Sequence, residues 1–253
     1  MSETTTQGSF TFSNTFTYDD HNNVLSQTEA EQGVNVRRVD RTFETSTAFT
    51  DAHIWDRRLS ETLIQYPSQD QAARNEWQYD TLSLIARSGT IPGWVDPVSA
   101  PRANVTAVRK WLNTTGSYLV TTQQYDISGN AVTVTDPGGH ATQNDFTDRL
   151  TDSINRNSFA YPTKVTDASG VFAQSTYDFN TGLVKQTTGS LSRTMTTSYD
   201  LMDRPTQVNY PDGGQTNDSY DDAAPTATET KKVDALGNVG RVTRTRAARC
   251  DRQ

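Results

Sequence analysis

The sequence predicts an all-β chain laid out as an array of short β-hairpins, and three observations carry that prediction. Threonine supplies 40 of the 253 residues, and its β-branched side chain suits a pleated sheet better than a helix. Residues 125–146, YDISGNAVTVTDPGGHATQNDF, align without a gap on residues 199–220, YDLMDRPTQVNYPDGGQTNDSY, so the chain repeats itself with a period of 21 residues from aromatic to aromatic. Both copies also carry two turn signals at matching places, Pro137 with Pro211 and Gly139 with Gly213.

Each unit reads as two strands and two turns. Tyr125-Asp126 opens a turn in which Gly129 or Asn130 supplies positive φ and the Asp126 carboxylate caps a backbone N–H. Ala131-Val132-Thr133-Val134-Thr135 alternates as a strand with both valines on one face. Asp136-Pro137-Gly138-Gly139 fits a type II turn, whereas Tyr210-Pro211-Asp212-Gly213 fits type I. The return strand ends on Phe146 or Tyr220, and the next unit starts there with a pair such as Tyr177-Asp178, Tyr199-Asp200 or Tyr220-Asp221. A lone hairpin is marginal in water, so each must bury its apolar face against its neighbours.

Along the chain, residues 1–50 hold degenerate units such as Tyr18-Asp19 through Val24-Leu25, and residues 116–246 form the clear array, with Asp234-Ala235-Leu236-Gly237-Asn238 as a late turn. Residues 51–115 break the pattern: they contain all four tryptophans, and Ser68–Arg87 has the composition for one or two helical turns. Trp55-Asp56 to Tyr66-Pro67 keeps the spacing of a half unit. The stretch reads either as degenerate repeats with an irregular Trp-containing insertion or as a separate small domain. Residues 247–253 are a basic tail expected to be disordered, with a continuing edge strand or a binding arm as the other readings.

Composition narrows the function. Only 33% of residues are hydrophobic and the mean hydropathy is -0.73, so the core is thin. No run approaches a membrane-spanning helix, and the Met1-Ser2-Glu3-Thr4 start lacks the pattern of a signal peptide. A single cysteine, Cys250, excludes an internal disulfide. The net charge of -7 argues against nucleic acid as a partner, although seven Lys/Arg face two Asp from Lys231 onward.

The unit Tyr-Asp-x-x-Gly-Asn/Arg, strand, Pro-Asp/Gly-Gly, strand, Tyr resembles the YD repeat of the Rhs family, most closely over 125–220 and more weakly over 15–67 and 230–246. Related arrays occur in bacterial Rhs polymorphic toxins, insecticidal toxin complexes and teneurins. The resemblance implies a spiralling sheet that forms part of a shell wall, a secreted or cell-surface location, and neighbouring YD repeats, other Rhs-type chains or a toxin cargo as partners. The family's closing Gly-Leu-Arg-Tyr-Asp segment and its aspartate-dependent cleavage site have no counterpart here.

No enzyme emerges from the residues. Asp19-Asp20 and Asp221-Asp222 are adjacent and would point to opposite faces of a strand, and His21, His53 and His140 lack metal-ligand spacing. Asp178-Phe179-Asn180-Thr181-Gly182 has oxygen atoms at alternate positions but no distal acidic ligand for calcium, which favours a plain Asx turn. No nucleophile elbow, phosphate loop or dinucleotide fingerprint is present, so no cofactor or metal is expected. The periodic aromatics read as packing between rungs. Trp94 and Trp111 are the candidates for glycan contact, which makes a carbohydrate-binding or adhesion module the alternative to a structural role.

Overall fold

A computed structural model describes residues 2–7, 9–95, 101–224, 226–232 and 243–247. The turn at 234–238, Gly8, Cys250 and the tail beyond Ala247 lie outside the described residues. The chain is all-β, with one short helix among the described residues, and divides into two compact units: Met1–Ser88 with Trp94–Thr142, and Gly89–Gly93 with Gln143–Gln253.

In the first unit, strands β1 (Ser2–Gln7), β2 (Phe10–Tyr18), β3 (Val24–Glu31) and β4 (Val34–Phe43) precede helix α1 (Thr47–Asp51). Strands β5 (Arg58–Gln65), β6 (Asp70–Tyr79), β7 (Val105–Trp111), β8 (Tyr118–Tyr125) and β9 (Ala131–Thr135) follow. Each pairs antiparallel with its sequence neighbour, so the unit is an up-and-down meander. Strand β10 (Ala141–Asp145) follows the turn at Asp136, and its Gln143–Asp145 opens the second unit. There β11 (Lys164–Thr166), β12 (Phe172–Tyr177), β13 (Val184–Gly189), β14 (Thr194–Tyr199), β15 (Pro205–Asn209), β16 (Gln215–Asp221), β17 (Thr226–Lys232) and β18 (Thr243–Ala247) continue the same antiparallel order.

Both copies of the 21-residue repeat fall on equivalent elements, since β9 and β10 correspond to β15 and β16. The unit from Tyr177 to Tyr199 is one residue longer because its first turn is wider: the Asp178 N–H reaches the Leu183 carbonyl (2.8 Å), where the Asp200 N–H reaches Arg204 (3.0 Å).

Two expectations give way. Asp70–Tyr79 is strand β6, not helix: Ala73 stands opposite Leu63 and Trp77 opposite Val108, so pairing on both edges overrides the helix-forming Gln71, Ala72, Ala73 and Arg74. Within 51–115, β5, β6 and β7 are regular, which leaves the segment between α1 and β5, the loop between β6 and β7 and the turn after β7, and Phe43, not Trp55, takes the aromatic position at the end of a strand. The turn at Asp136 is type I, not type II, because the positive φ falls on Gly139 (84°) and not on Gly138. The Asp136 carboxylate sets this geometry by accepting the Gly138 and His140 N–H groups (2.8 and 2.9 Å).

Most strand residues are half-buried, and among the described residues only Phe49, Ala107, Leu150, Phe159 and Tyr177 are buried apolar side chains. Phe49 of α1 packs edge-on against Tyr79 in the first unit (6.3 Å between centroids). In the second unit Leu150 and Phe159 come from the loop between β10 and β11, so loops supply much of what little core there is.

Candidate interaction surface at the Tyr–Asp turns

One local motif recurs where a strand ends in an aromatic residue followed by an acid. Its chemistry is complete within five residues. The N–H of Asp126 donates to the Asn130 carbonyl (3.0 Å), Gly129 N–H returns to the Asp126 carbonyl (3.1 Å), and Gly129 takes φ 89°. One carboxylate oxygen, Asp126 Oδ1, accepts the N–H groups of Ser128 (2.8 Å) and Asn130 (3.0 Å). Asp200 repeats this with Met202 (2.9 Å) and Arg204 (3.0 Å), and Asp19 with His21 (2.9 Å) and Asn23 (2.8 Å). The residue three places on has positive φ in all three, and Asn22 (64°) and Asp203 (61°) do what Gly129 does.

The preceding aromatic sits at a β-bulge, which bends the strand and re-aims the ring. This holds for Tyr18, Phe43, Tyr79, Tyr125, Tyr177 and Tyr199. In three successive hairpins the tyrosine hydroxyl then reaches back 15 residues to a backbone carbonyl: Tyr177 to Pro162 (2.9 Å), Tyr199 to Val184 (2.8 Å) and Tyr220 to Pro205 (2.8 Å). Cations lie over two of these rings, Lys185 over Tyr199 (4.7 Å) and Arg204 over Tyr220 (4.3 Å). Burial raises the phenol pKa of Tyr125, Tyr177 and Tyr220.

The acids cap their own turns. Burial pushes the Asp126 carboxyl up, but hydrogen bonds from Ser128 and Asn130 and the Arg87 guanidinium outweigh it and hold the pKa below the ordinary value. Asp200 is held down in the same way by Arg204, and Asp178 by the Thr181 N–H (3.1 Å). Asp221 caps Ala223 (3.0 Å) and Ala224 (3.1 Å). These oxygens face N–H donors, the opposite of what a calcium ligand needs. At the far ends of the strands Gly139 (φ 84°) and Gly213 (83°) close the turns that hold Pro137 and Pro211. Phe146 follows β10 half-buried.

Two long loops lie across Tyr–Asp turns as straps. In the first unit Ile85 N–H donates to the Tyr125 carbonyl (2.9 Å) and the Ile85 carbonyl accepts the Ile127 N–H (3.0 Å), a parallel bridge. Arg87, two residues on, binds the Asp126 carboxylate, which is fully buried, through Nε (2.6 Å) and a terminal nitrogen. Arg102 bonds the Ile127 carbonyl. Asp80 closes the base of this loop by accepting the N–H groups of Arg102, Ala103 and Asn104 (2.9, 2.7 and 3.0 Å). In the second unit Thr151 N–H donates to the Tyr177 carbonyl and Tyr177 N–H to the Arg149 carbonyl (both 2.9 Å), again a parallel bridge through Leu150. Tyr161 stacks on Tyr177 (4.7 Å), and the Arg156 guanidinium sits 3.9 Å from the centre of Phe179.

Sequence reasoning missed Tyr79-Asp80, although the dipeptide stands in plain view, and missed both straps, whose contacts leave no local signal. Trp94 and Trp111 are not brought together. Trp94 sits beside Arg102 (5.8 Å), while Trp111 ends β7 opposite Tyr118. A shallow concavity of about 450 Å³ in the first unit is lined in part by Gln27, Val39, Leu63 and Ala73 and crossed by the Arg37–Glu29 ion pair (2.6 Å).

No family model and no curated protein matches the chain. Among solved structures, it is similar to a chain of the TcdB2-TccC3-Cdc42 complex (10% identity, TM-score 0.38) and of the Photorhabdus luminescens Tc holotoxin pore (10%, TM-score 0.41). In both, the match covers 87% of this chain and 12% of the other, so this chain spans about an eighth of their length. A porin-like protein from Bacteroides uniformis matches over 96% of this chain and 93% of its own (10%, TM-score 0.32). Among the described residues no helix is long and apolar enough to cross a membrane.

Proposed function

We propose that the chain is a non-enzymatic structural segment of the Rhs type, whose hairpins build β-wall in an exported or cell-surface bacterial protein that shields or presents a cargo such as a toxin. The observation that carries this reading is the tyrosine that reaches back 15 residues in three successive hairpins. Each bond ties the end of a hairpin's return strand to the start of its own first strand, so the same closed unit recurs and the array extends by repetition. Glycan binding is the weaker reading, because it calls for paired exposed rings and Trp94 and Trp111 sit on separate elements.

The test is assembly. Sheet edges offer unpaired N–H and C=O groups to other chains. A wall segment should therefore associate with itself or with other repeat chains, increasingly so from about 0.01 M to 1 M salt as the screening length falls from about 30 Å to 3 Å. A sharp monomer in light scattering across that range, with repeat chains also present, would sink the proposal. Sugar-dependent binding on a glycan array, abolished by Trp94→Ala or Trp111→Ala, would replace it with the alternative.

A further inference from the structure

Ile127, Phe179 and Leu201 occupy the same place, two residues after the tyrosine, in three Tyr–Asp turns. In the first two turns a strap crosses beside that place, although Phe179 remains 48% exposed. Ile127 is bonded to Ile85 and Arg102, and Phe179 lies under Arg156. The tyrosine carbonyl beside each accepts an N–H from the strap, Ile85 on Tyr125 and Thr151 on Tyr177. The third turn has the same internal hydrogen bonds, with Asp200 N–H on the Arg204 carbonyl (3.0 Å) and Asp203 N–H on the Asp200 carbonyl (3.1 Å). Among the described residues no strap crosses it. Leu201 is 105% exposed and Met202 66%.

The strand edge beside it is open to match. Strand β13 pairs with β14 only from Gln186 opposite Thr196 to Thr188 opposite Thr194, which stops three residues short of Tyr199. In the second unit's strapped turn the corresponding gap, between β11 and Tyr177, is where the Arg149–Thr151 backbone enters. The acids around the third turn outnumber the bases: Asp200 and Asp203 lie in it and Asp221 and Asp222 at the next turn, while Arg204 pairs with Asp200 (2.8 Å) and Asp222 (2.5 Å) and Lys185 lies over Tyr199.

We propose that the Tyr199–Arg204 turn is a docking site for an extended segment of another polypeptide that enters as a third strap, setting a Leu or Ile against Leu201 and Met202 and a basic residue against the neighbouring aspartates. The chain's own first strap supplies the template, an apolar residue followed two places on by arginine (Ile85 and Arg87) that lies parallel to the strand end. Strand addition provides backbone hydrogen bonds without regard to sequence, so the apolar residue and the arginine confer the selectivity. The inference is independent of the wall-building reading, since a chain that stays monomeric would still bind such a segment.

A synthetic peptide with the sequence of residues 81–89 (TLSLIARSG) is the probe, titrated into the full chain with hydrogen exchange as the readout. Saturable binding is expected, with new amide protection over residues 197–204. Leu201→Asp and Met202→Asp, both at exposed positions, should each weaken it about tenfold or more. A peptide carrying glutamate in place of Arg87 should bind more weakly still, and raised salt should reduce the affinity. No saturation by about 1 mM, unchanged affinity in Leu201→Asp, or protection confined to residues 124–130 would each overturn the proposal.

Discussion

Arg87 and Asp126, 39 residues apart in sequence, form a buried ion pair that ties the first strap to the turn beneath it. Asp126 is fully buried and Arg87 nearly so, with 11% of its side chain exposed. Removing one partner of such a pair strands the other charge. Arg87→Met should therefore cost on the order of 3 kcal/mol in urea unfolding, and Arg87→Met with Asp126→Asn should cost less than the two singles together. Additive losses would mean that the carboxylate is satisfied by its turn alone.

The same carboxylate sets a pH dependence. Its folded pKa lies below the ordinary value of 3.8, so its stabilisation is fully present above that value and is lost as the pH falls through the folded pKa. The unfolding midpoint should drop on acidification below about pH 4, and more steeply in the wild type than in Asp126→Asn.

Asp218 behaves in the opposite sense. It stands directly across from Glu229 on the next strand, and burial followed by that like charge raises its pKa. Ionising Asp218 thus costs stability as the pH rises through its folded value. Asp218→Asn should stabilise the protein at pH 7 by a few tenths of a kcal/mol, with the gain gone near pH 3. A destabilised variant at pH 7 would contradict the cross-strand repulsion.

Gly139 tests the turn geometry with little interference from packing, because a Cβ built there meets nothing within 4 Å while φ is 84°. Gly139→Ala should cost about 1 kcal/mol from backbone strain alone. Gly139→Asn should cost less, as Asn22 and Asp203 hold positive φ three residues after the capping aspartate in other turns of the chain. Gly189→Ala, where a Cβ would meet only the Phe172 carbonyl at 3.8 Å, is the control and should be nearly silent in the same denaturation experiment.

Deleting the reach-back hydroxyls should follow burial. Tyr177→Phe removes a bond from a side chain only 9% exposed and leaves the Pro162 carbonyl without it, for a loss of about 1 to 2 kcal/mol. Tyr199→Phe, on a half-buried ring, should cost less. Equal losses would show that the hydroxyls do not tie each return strand to the start of its own hairpin.

The 21-residue unit, its strand and turn positions and the all-β class were legible from residue order alone. The reason is that the Asp caps and the positive-φ positions close within five residues and need no distant partner. Tyr79-Asp80 was equally legible and was hidden only by the tryptophans around it. The turn type at Asp136 was not, since the carboxylate's choice of N–H partners decides which glycine takes positive φ. Tertiary structure alone decided that Asp70–Tyr79 pairs as β6 and not as a helix, because the pairing energy comes from β5 and β7 and not from the segment's own propensity. It also decided that Ile85 and Leu150 lie over Tyr–Asp turns. Contacts made by closing a long loop depend on where the sheet has already placed the turn, and nothing in the residues of the loop itself specifies that place.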